Sequence, residues 1–423
     1  MNLQQIKSKI QDGGFDTDFA LLYDDVLLAR ERYLEACDEF LALYGERDNI
    51  RLFSAPGRTE VGGNHTDHQH GRVLTGSVNL DVIAVVSATD NNTVRIKSKG
   101  FDMDTVDITD LDIKESEEGK AIALIRGMLS FFKQSGANIG GFDAYTTSNV
   151  LKGSGLSSSA AFEVLVGNII NGLYNDSAVS AVEIAKMSQK SESRYFGKPC
   201  GMLDQMASSV GGFTGMDFKD PQNPVIEKVQ LDLDAYKHKL CIVNTGGNHA
   251  NLTGDYADIT IECRKISNAL GKDFLRDVDE DEFYKAIPTL RDDCGDRAIL
   301  RAIHFFGDNN KAYEEKEALK AGDFEGFLKL INASGDSSFM YLQNVYSNSD
   351  VSEQGVSLAL ALTKQFLNGK GACRVHGGGF AGTIQAFVPD DMVESYKTYI
   401  EAFFGEGSCY ILKIRSVGGY ELK

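Results

Sequence analysis

The sequence of 423 residues is short of positive charge, of proline and of long apolar runs. Its 43 Lys and Arg residues stand against 61 Asp and Glu residues, which gives a formal net charge of −18. A nucleic acid or an anionic membrane surface requires a basic face on its partner, so we expect neither as a ligand of this protein. Any anionic small molecule must be held by local groups.

Other absences narrow the class further. Apolar runs such as residues 82–86 are too short to span a bilayer, and the N terminus, M-N-L-Q-Q-I-K-S-K-I, lacks the apolar core of a signal peptide. The seven cysteines are odd in number and form no CxxC pair, so neither a disulfide framework nor a zinc ribbon is indicated. These features predict a soluble, cytoplasmic protein.

The composition that remains is globular, with 42% apolar and 25% charged residues, and the length predicts two domains. Helical spacing over residues 18–45 predicts a helical extension, after which strand and helix patterns alternate. Residues 218–227, D-P-Q-N-P included, hold two of only six prolines and are the predicted passage between the domains.

Residues 54–71, S-A-P-G-R-T-E-V-G-G-N-H-T-D-H-Q-H-G, concentrate more chemistry than any other stretch. The Gly-Gly pair allows a sharp turn that would present Asn64, His65 and Asp67. Short donors and acceptors on a rigid turn suit the hydroxyls of a sugar. Two alternatives stay open here: an ordinary surface turn, and a metal site. The ligands of such a metal site would be His65, Asp67, His68 and His70.

A second stretch, residues 149–160, N-V-L-K-G-S-G-L-S-S-S-A, runs directly into an apolar helix. A Gly-rich loop before a helix aims free N–H groups and the positive end of the helix dipole at one point, which predicts a phosphate cradle. It is not a Walker A loop, because the Gly-Lys-Ser/Thr ending is missing. It is not a dinucleotide fingerprint either, because Ser158 stands where the third Gly should be. A serine-capped core helix is the alternative.

Two later stretches complete the set. Asp204 lies among apolar neighbours in G-M-L-D-Q-M, where a carboxylate is costly unless it is paired or used, although a satisfied helix-cap Asp is a common alternative. Residues 377–382 satisfy G-x-G-x-x-G, but an alternating strand follows them instead of a helix, so a dinucleotide fold is not indicated. We predict a loop whose backbone closes over a ligand.

Together these motifs resemble the GHMP small-molecule kinases, and most closely the galactokinases, over nearly everything from Ser54 to the C terminus. A-P-G-R-T-E-V-G-G-N-H-T-D-H-Q is similar to the pattern A-P-G-R-V-N-L-I-G-E-H-T-D-Y-N, and L-K-G-S-G-L-S-S-S-A to P-L-G-A-G-L-S-S-S-A. Residues 192–205 resemble E-H-x-x-x-G-x-P-C-G-x-x-D-Q, with Ser193 in place of the His, and residues 377–382 resemble G-G-G-F-G-G.

The resemblance implies a two-domain α/β (α+β) fold, with an N-terminal ribosomal S5 domain 2-like half, a C-terminal ferredoxin-like half and the active site in the cleft between them. Residues 1–50 would form a helical extension, 51–218 the N-terminal kinase domain and 219–423 the C-terminal kinase domain. The protein would act as a monomer or a weak homo-oligomer.

The resemblance also implies roles for individual residues, with ATP and Mg²⁺ as cofactors. Asp204 would accept the proton of the anomeric hydroxyl, and Arg58 would orient that hydroxyl and offset charge on the transferred phosphoryl group. Ser159 and Glu192 would hold Mg²⁺. The phosphates would contact Gly153, Ser154, Gly155, Leu156, Ser157, Ser158 and Ser159. The sugar would contact Asn64, His65, Asp67, Gly201 and Tyr256.

The expected reaction is ATP-dependent 1-phosphorylation of galactose, but departures from the family pattern leave the sugar open. Asn64 stands where the family has Glu, and His68-Gln69 where it has Tyr-Asn. An amide at 64 would remove negative charge from the outer edge of the sugar, so galacturonate or arabinose is the alternative substrate. Leu151 and Glu60 replace Pro and Asn as local packing changes.

A non-catalytic, sugar-responsive regulator is a further alternative, because some galactokinase-like proteins have that function. Such proteins lack residues of the second motif, whereas Ser158, Ser159 and Ala160 are all present here. The enzyme is therefore the favoured interpretation.

Overall fold

The computed structural model describes residues 1–150, 155–229, 231–247 and 252–423. The helices are α1 (Leu3–Gln11), α2 (Asp16–Leu22), α3 (Val26–Tyr44), α4 (Ala121–Gln134), α5 (Ser158–Asn175), α6 (Ala181–Ser191), α7 (Leu203–Val210), α8 (Thr253–Ala269), α9 (Glu280–Cys294), α10 (Asp296–Ala321), α11 (Phe324–Ser337), α12 (Gly355–Leu367) and α13 (Val393–Phe404). The strands are β1 (Ile50–Gly62), β2 (Arg72–Thr89), β3 (Thr93–Ser98), β4 (Met103–Asp107), β5 (Gly141–Ser148), β6 (Phe213–Asp217), β7 (Val225–Val229), β8 (His238–Asn244), β9 (Ala372–His376), β10 (Thr383–Pro389), β11 (Cys409–Leu412) and β12 (Tyr420–Glu421).

The first sheet has eight strands in the order β12-β1-β2-β5-β3-β4, with β6 paired to β2 and β7 paired to β6. Its central strand β2 is buried on both faces. Val82, Ala84 and Val86 pack in one core with α4 and α5, whereas Ile83 and Val85 pack in another with α1 to α3. Burial on both faces explains why this strand is a continuous apolar run instead of an alternating one.

The second sheet has four antiparallel strands in the order β11-β8-β10-β9. The helices α12 and α13 cover one of its faces. From the other face, Leu240, Ile242 and Phe387 join Phe327 and Ile331 of α11 in the core that continues into the first sheet. The two-sheet arrangement agrees with the predicted two-domain α/β fold.

The predicted passage between the domains is wrong. Residues 218–224 connect β6 to β7, and Val225 to Val229 pair with Phe213 to Asp217 in the first sheet. A boundary between residues 218 and 219 therefore falls inside a hairpin. Proline marks a tight turn as readily as a linker, and the sequence does not separate the two.

The predicted helical extension over residues 18–45 consists of two helices, because Tyr23 is extended and Asp25 caps α3 by accepting from the N–H groups of Leu27 and Leu28. The C-terminal strand β12 returns to the first sheet, where it pairs with β1.

All seven cysteines are free thiols. Within the described ranges, no helix has the length and apolar character needed to cross a membrane.

Candidate active site

The predicted catalytic pair is assembled at an irregularity of β1. The register of β1 against β2 shifts between Pro56 and Arg58, and such a shift re-aims the side chain that follows it. Arg58 Nε donates to Asp204 Oδ1 at 2.7 Å, and Nη2 lies 2.7 Å from the same oxygen. Asp204 lies in the first turn of α7. The expected proximity of Arg58 and Asp204 is confirmed.

Asp204 is held as an ionised carboxylate. The Ser157 hydroxyl donates to its second oxygen, Oδ2, at 2.6 Å. Burial raises the pKa of Asp204, but the charge of Arg58 and the hydrogen bonds from Ser157 and Arg58 outweigh it, so the pKa lies below its usual value. The Asp204 side chain keeps 33% exposure, so a ligand in the cleft can reach it.

The loop that precedes α5 packs directly against β1. The Arg58 N–H donates to the Leu156 carbonyl at 3.0 Å, and Arg58 Nη1 donates to the Gly155 carbonyl. A Cβ at Gly57 would lie 2.8 Å from that Leu156 oxygen, so only glycine permits this approach. Residues 155–157 are therefore fixed beside the Arg58–Asp204 pair.

The start of α5 is open to an anion. Ser157 precedes the helix with φ 55° and makes no capping hydrogen bond, so the alternative of a serine-capped core helix is wrong. The first N–H groups of a helix have no partner within it and attract anions. The Leu156 side chain is fully buried, so this residue could contact a phosphate only through its backbone. Gly153 and Ser154, two other predicted phosphate contacts, lie outside the described residues. Leu151, the predicted packing change, also lies outside them.

Ser159 and Glu192, the predicted Mg²⁺ ligands, are in contact. Ser159 Oγ donates to Glu192 Oε1 at 3.1 Å, and the Glu192 side chain is 3% exposed. Gln205 Nε2 donates to Glu192 Oε2 at 2.6 Å. The buried oxygens Glu163 Oε1 and Gln205 Oε1 have no hydrogen-bond partner within the described part of the chain. Hard oxygen donors of this kind fit a divalent ion that keeps its remaining ligands from phosphate and water.

Three polar residues near Ser159 and Glu192 were not predicted from the sequence. Lys198 Nζ lies 3.1 Å from Glu192 Oε1, Gln205 lies beside Asp204 in the chain, and Glu163 lies one helical turn after Ser159. The i, i+4 spacing from Ser159 is the signal that could have identified Glu163. Lys198 and Gln205 belong to the G-K-P-C-G-M-L-D-Q segment, whose polar positions could have been read together with Asp204.

The polar loop, residues 63–71, meets three other segments at the cleft. A Cβ at Gly201 would collide with Asp67 Oδ2, so the backbone that leads to Asp204 runs alongside the Asp67 carboxylate. His65 Nε2 lies 2.9 Å from the Gly378 carbonyl, to which it donates. The Tyr256 hydroxyl donates to the Gly379 carbonyl at 3.1 Å. His65, Asp67, Gly201 and Tyr256 are therefore brought together.

Asn64, the fifth predicted sugar contact, is placed differently. Its side chain is fully buried. The amide nitrogen donates to Glu60 Oε1 and to the Gly377 carbonyl, each at 2.8 Å. The amide oxygen accepts from Asn344 Nδ2 at 2.8 Å and from Ser338 Oγ at 3.2 Å. Both donors and both acceptor positions are occupied, so this side chain is not free to bind a sugar hydroxyl.

The alternative metal site in the polar loop is not assembled. His65 donates to a carbonyl, His70 stacks on Phe274 with ring centroids 3.6 Å apart, and the rings of His65 and His68 are 6.0 Å apart. No group of three His, Cys, Asp or Glu side chains suited to a metal exists among the residues that the structure describes. Neighbouring side chains of one short loop point in different directions.

The histidines on the cleft side of this loop are uncharged, so Asp67 is its main charge. Burial lowers the pKa of His65 to about 4 and that of His68 to about 3, so both imidazoles are uncharged. Burial, followed by the charge of Asp204, raises the pKa of Asp67 to about 6. Asp67 is therefore mostly ionised at neutral pH and supplies an acceptor beside neutral rings.

Comparison with known proteins decides the family. A curated galactokinase from Lactobacillus helveticus is 30% identical over 383 residues, which are 88% of this chain and 95% of that relative. The chain belongs to the galactokinase family. A galactokinase from Actinobacillus pleuropneumoniae is likewise 30% identical over 379 residues, 88% of this chain and 92% of the relative. Residues 38–88 match the galactokinase galactose-binding signature, and residues 123–212 match the GHMP kinases N terminal domain.

Solved structures of the same fold agree with this family assignment. A Lactococcus lactis galactokinase complexed with galactose superposes with a TM-score of 0.76 at 24% identity, covering 90% of this chain and 98% of that one. A mevalonate kinase superposes with a TM-score of 0.58 at 15% identity, covering 86% and 98%. Likenesses at these identities show that this galactokinase-family chain shares the GHMP kinase fold.

Proposed function

We propose that this protein is an ATP-dependent sugar 1-kinase that transfers a phosphoryl group to the anomeric hydroxyl of galactose. The observation that carries the proposal is the Arg58–Asp204 ion pair beside the open start of α5. Membership of the galactokinase family supports it, as does the match of residues 38–88 to the galactose-binding signature.

In this proposal Asp204 orients the anomeric hydroxyl and receives its proton. A carboxylate whose pKa is lowered by Arg58 and Ser157 is a weak base, so the proton moves late, once the oxygen has begun to bond to phosphorus. The acceleration then comes mainly from positioning and from charge stabilisation by Arg58, worth several kcal/mol. This division suits phosphoryl transfer, which has a loose transition state.

The nucleotide phosphates would lie at the start of α5, against the backbone of residues 155–159. Ser159 and Glu192 would hold Mg²⁺, with Gln205 fixing the Glu192 carboxylate through its hydrogen bond. The bound ion would supply neutralisation of phosphate charge. Arg58 reaches the same region from β1, because its guanidinium bonds both the Gly155 carbonyl and Asp204.

The sugar would lie between Asp67, Gly201 and Asp204, with His65 and Tyr256 at its far side. Asn64 offers no donor there because its amide is fully used. Asn64 therefore gives no reason to prefer galacturonate, which is favoured only by the absence of a glutamate at this position. Galactose is the substrate that the arrangement and the relatives support.

Initial rates of ADP release with galactose, galacturonate and arabinose, each with ATP and Mg²⁺, test the proposal. We expect galactose to give the highest kcat/KM, and ³¹P NMR to show the product as an anomeric phosphate. Sugar binding without ADP release would instead identify a regulator. Phosphate on any other hydroxyl would contradict the proposed reaction.

A further inference from the structure

Asn64 lies in the chain immediately before His65 and three residues before Asp67, yet every polar group it carries is bonded away from the cleft. Besides its four side-chain hydrogen bonds, its N–H donates to Asp308 Oδ2 at 2.8 Å, and its carbonyl accepts from His304 Nε2 at 2.9 Å. These hydrogen bonds hold the buried Asn64 in a single conformation. Because Asn64 belongs to the polar loop, they fix that loop at this residue.

The partners of Asn64 come mostly from the second half of the chain. His304 and Asp308 lie on α10, Ser338 and Asn344 follow α11, and Gly377 opens the glycine loop, residues 377–382. Only Glu60 belongs to the same half as Asn64. The polar loop extends from the first sheet, but it is anchored to α10, to the segment that follows α11 and to the glycine loop, all from the second half of the chain.

The backbone at His65 needs such an anchor. His65 has φ 56° and Gly63 has φ 82°, and the left-handed region is unfavourable for a residue with a Cβ unless the surroundings enforce it. The hydrogen bonds of Asn64 lie between these two positions. Asn344 connects them further, because its amide donates to Asn64 Oδ1 and also, at 3.2 Å, to the Gly378 carbonyl that His65 contacts.

We propose that Asn64 is a positioning residue for sugar binding, which holds His65 and Asp67 at the cleft by fixing the polar loop to the second half of the chain. The inference rests on the proposed sugar kinase activity. Asn64 itself would contact neither the sugar nor the nucleotide. Its loss therefore weakens the sugar site without removing any group that contacts the sugar.

The test compares Asn64→Ala with Asn171→Ala. Asn171 is also buried, and its amide makes two bonds to Val179 within the first half of the chain, far from the polar loop in sequence. Both variants lose buried hydrogen bonds, so both are expected to unfold at lower temperature. Only Asn64→Ala is expected to raise the sugar dissociation constant in calorimetry, by about tenfold, which corresponds to about 1.4 kcal/mol. The KM for ATP should stay near the wild-type value in both.

A second variant, Asn344→Ala, removes the bond to Asn64 Oδ1 and the longer bond to the Gly378 carbonyl while leaving Asn64 in place. It should raise the sugar dissociation constant in the same direction, and the effects of the two substitutions should be less than additive because they break one shared bond. Asn344→Ala also carries the test if Asn64→Ala does not fold.

Unchanged sugar affinity in folded Asn64→Ala or Asn344→Ala protein would overturn the proposal, as would an equal loss in Asn171→Ala. A wild-type protein that phosphorylates no sugar would refute the proposed function instead. The two failures are distinguishable, because the first is read in variants of an active enzyme and the second in the wild type.

Discussion

At the scale of single residues, Asp67 is the predicted sugar contact whose charge changes nearest to neutral pH. Its pKa is raised to about 6 by burial and by the charge of Asp204. Below that pH Asp67 gains a proton and loses an acceptor, so kcat/KM for the sugar should fall as pH decreases through about 6. Asp204, with its lowered pKa, stays ionised over this range. A pH profile of kcat/KM measures the effect, since it reports on groups of the free enzyme.

The control is Asp67→Asn, which keeps the size of the side chain but cannot titrate. Its kcat/KM should be lower at neutral pH by about tenfold to a hundredfold, as for the loss of a hydrogen bond to a charged group. The acidic limb near pH 6 should disappear. A limb that persists in Asp67→Asn would assign the titration to another group.

At the scale of elements, the glycine loop is packed against α8 without room for a side chain. A Cβ at Gly378 would lie 2.6 Å from Tyr256 Cε1, and the hydroxyl of Tyr256 binds the next carbonyl of the same loop. Gly378→Ala should therefore displace Tyr256 and raise the sugar KM severalfold. Steady-state kinetics with varied sugar at saturating ATP measure it.

Gly254→Ala is the matched control on the same helix, because a Cβ at Gly254 meets no atom within 4 Å. Alanine favours a helix over glycine by roughly 0.5 to 1 kcal/mol, so this variant should retain wild-type kinetics and stability. Equal kinetic losses in both variants would show that α8, and not the Gly378 contact, controls sugar binding.

At the scale of the whole molecule, a buried ion pair joins the two sheets. Arg374 of β9 is fully buried and donates to Glu60 Oε1 of β1 at 2.9 Å and to the Val61 carbonyl at 2.8 Å. Burial raises the pKa of the Glu60 carboxyl to about 7 although the charge of Arg374 opposes this shift, so removing Arg374 leaves that carboxyl without its compensating charge and hydrogen bond, at a cost of about 3 kcal/mol. Arg374→Met should therefore lower the midpoint of denaturant unfolding strongly.

The exposed pair Arg291–Asp296, with side chains 62% and 68% exposed, supplies the comparison. Arg291→Met should leave the midpoint of denaturant unfolding close to the wild-type value, because solvent screens an exposed ion pair. If Arg374→Met unfolds at the same denaturant concentration as Arg291→Met, the junction between the sheets does not depend on this pair.

Local sequence patterns predicted the contact between Arg58 and Asp204, but they did not predict contacts between residues that are distant in sequence. Arg58 and Asp204 stand in short motifs whose residue types carry the chemistry, so their pairing was foreseeable. The bonding of Asn64 away from the cleft is not visible in the local sequence, because its partners apart from Glu60 lie between 240 and 313 residues further along the chain. The prolines at residues 218–227 mark a turn as readily as a linker, and the pairing of β12 with β1 joins strands from opposite ends of the chain.

The proposed sugar kinase reaction depends on Asp204 acting at the reacting hydroxyl, and Asp204→Asn tests this role most directly. Sugar-dependent ADP release should fall by at least about a hundredfold, because an amide cannot take the proton and no longer compensates Arg58. Calorimetry should show that the variant still binds the sugar. An Asp204→Asn protein that turns over galactose and ATP at the wild-type rate would contradict the proposed role of Asp204.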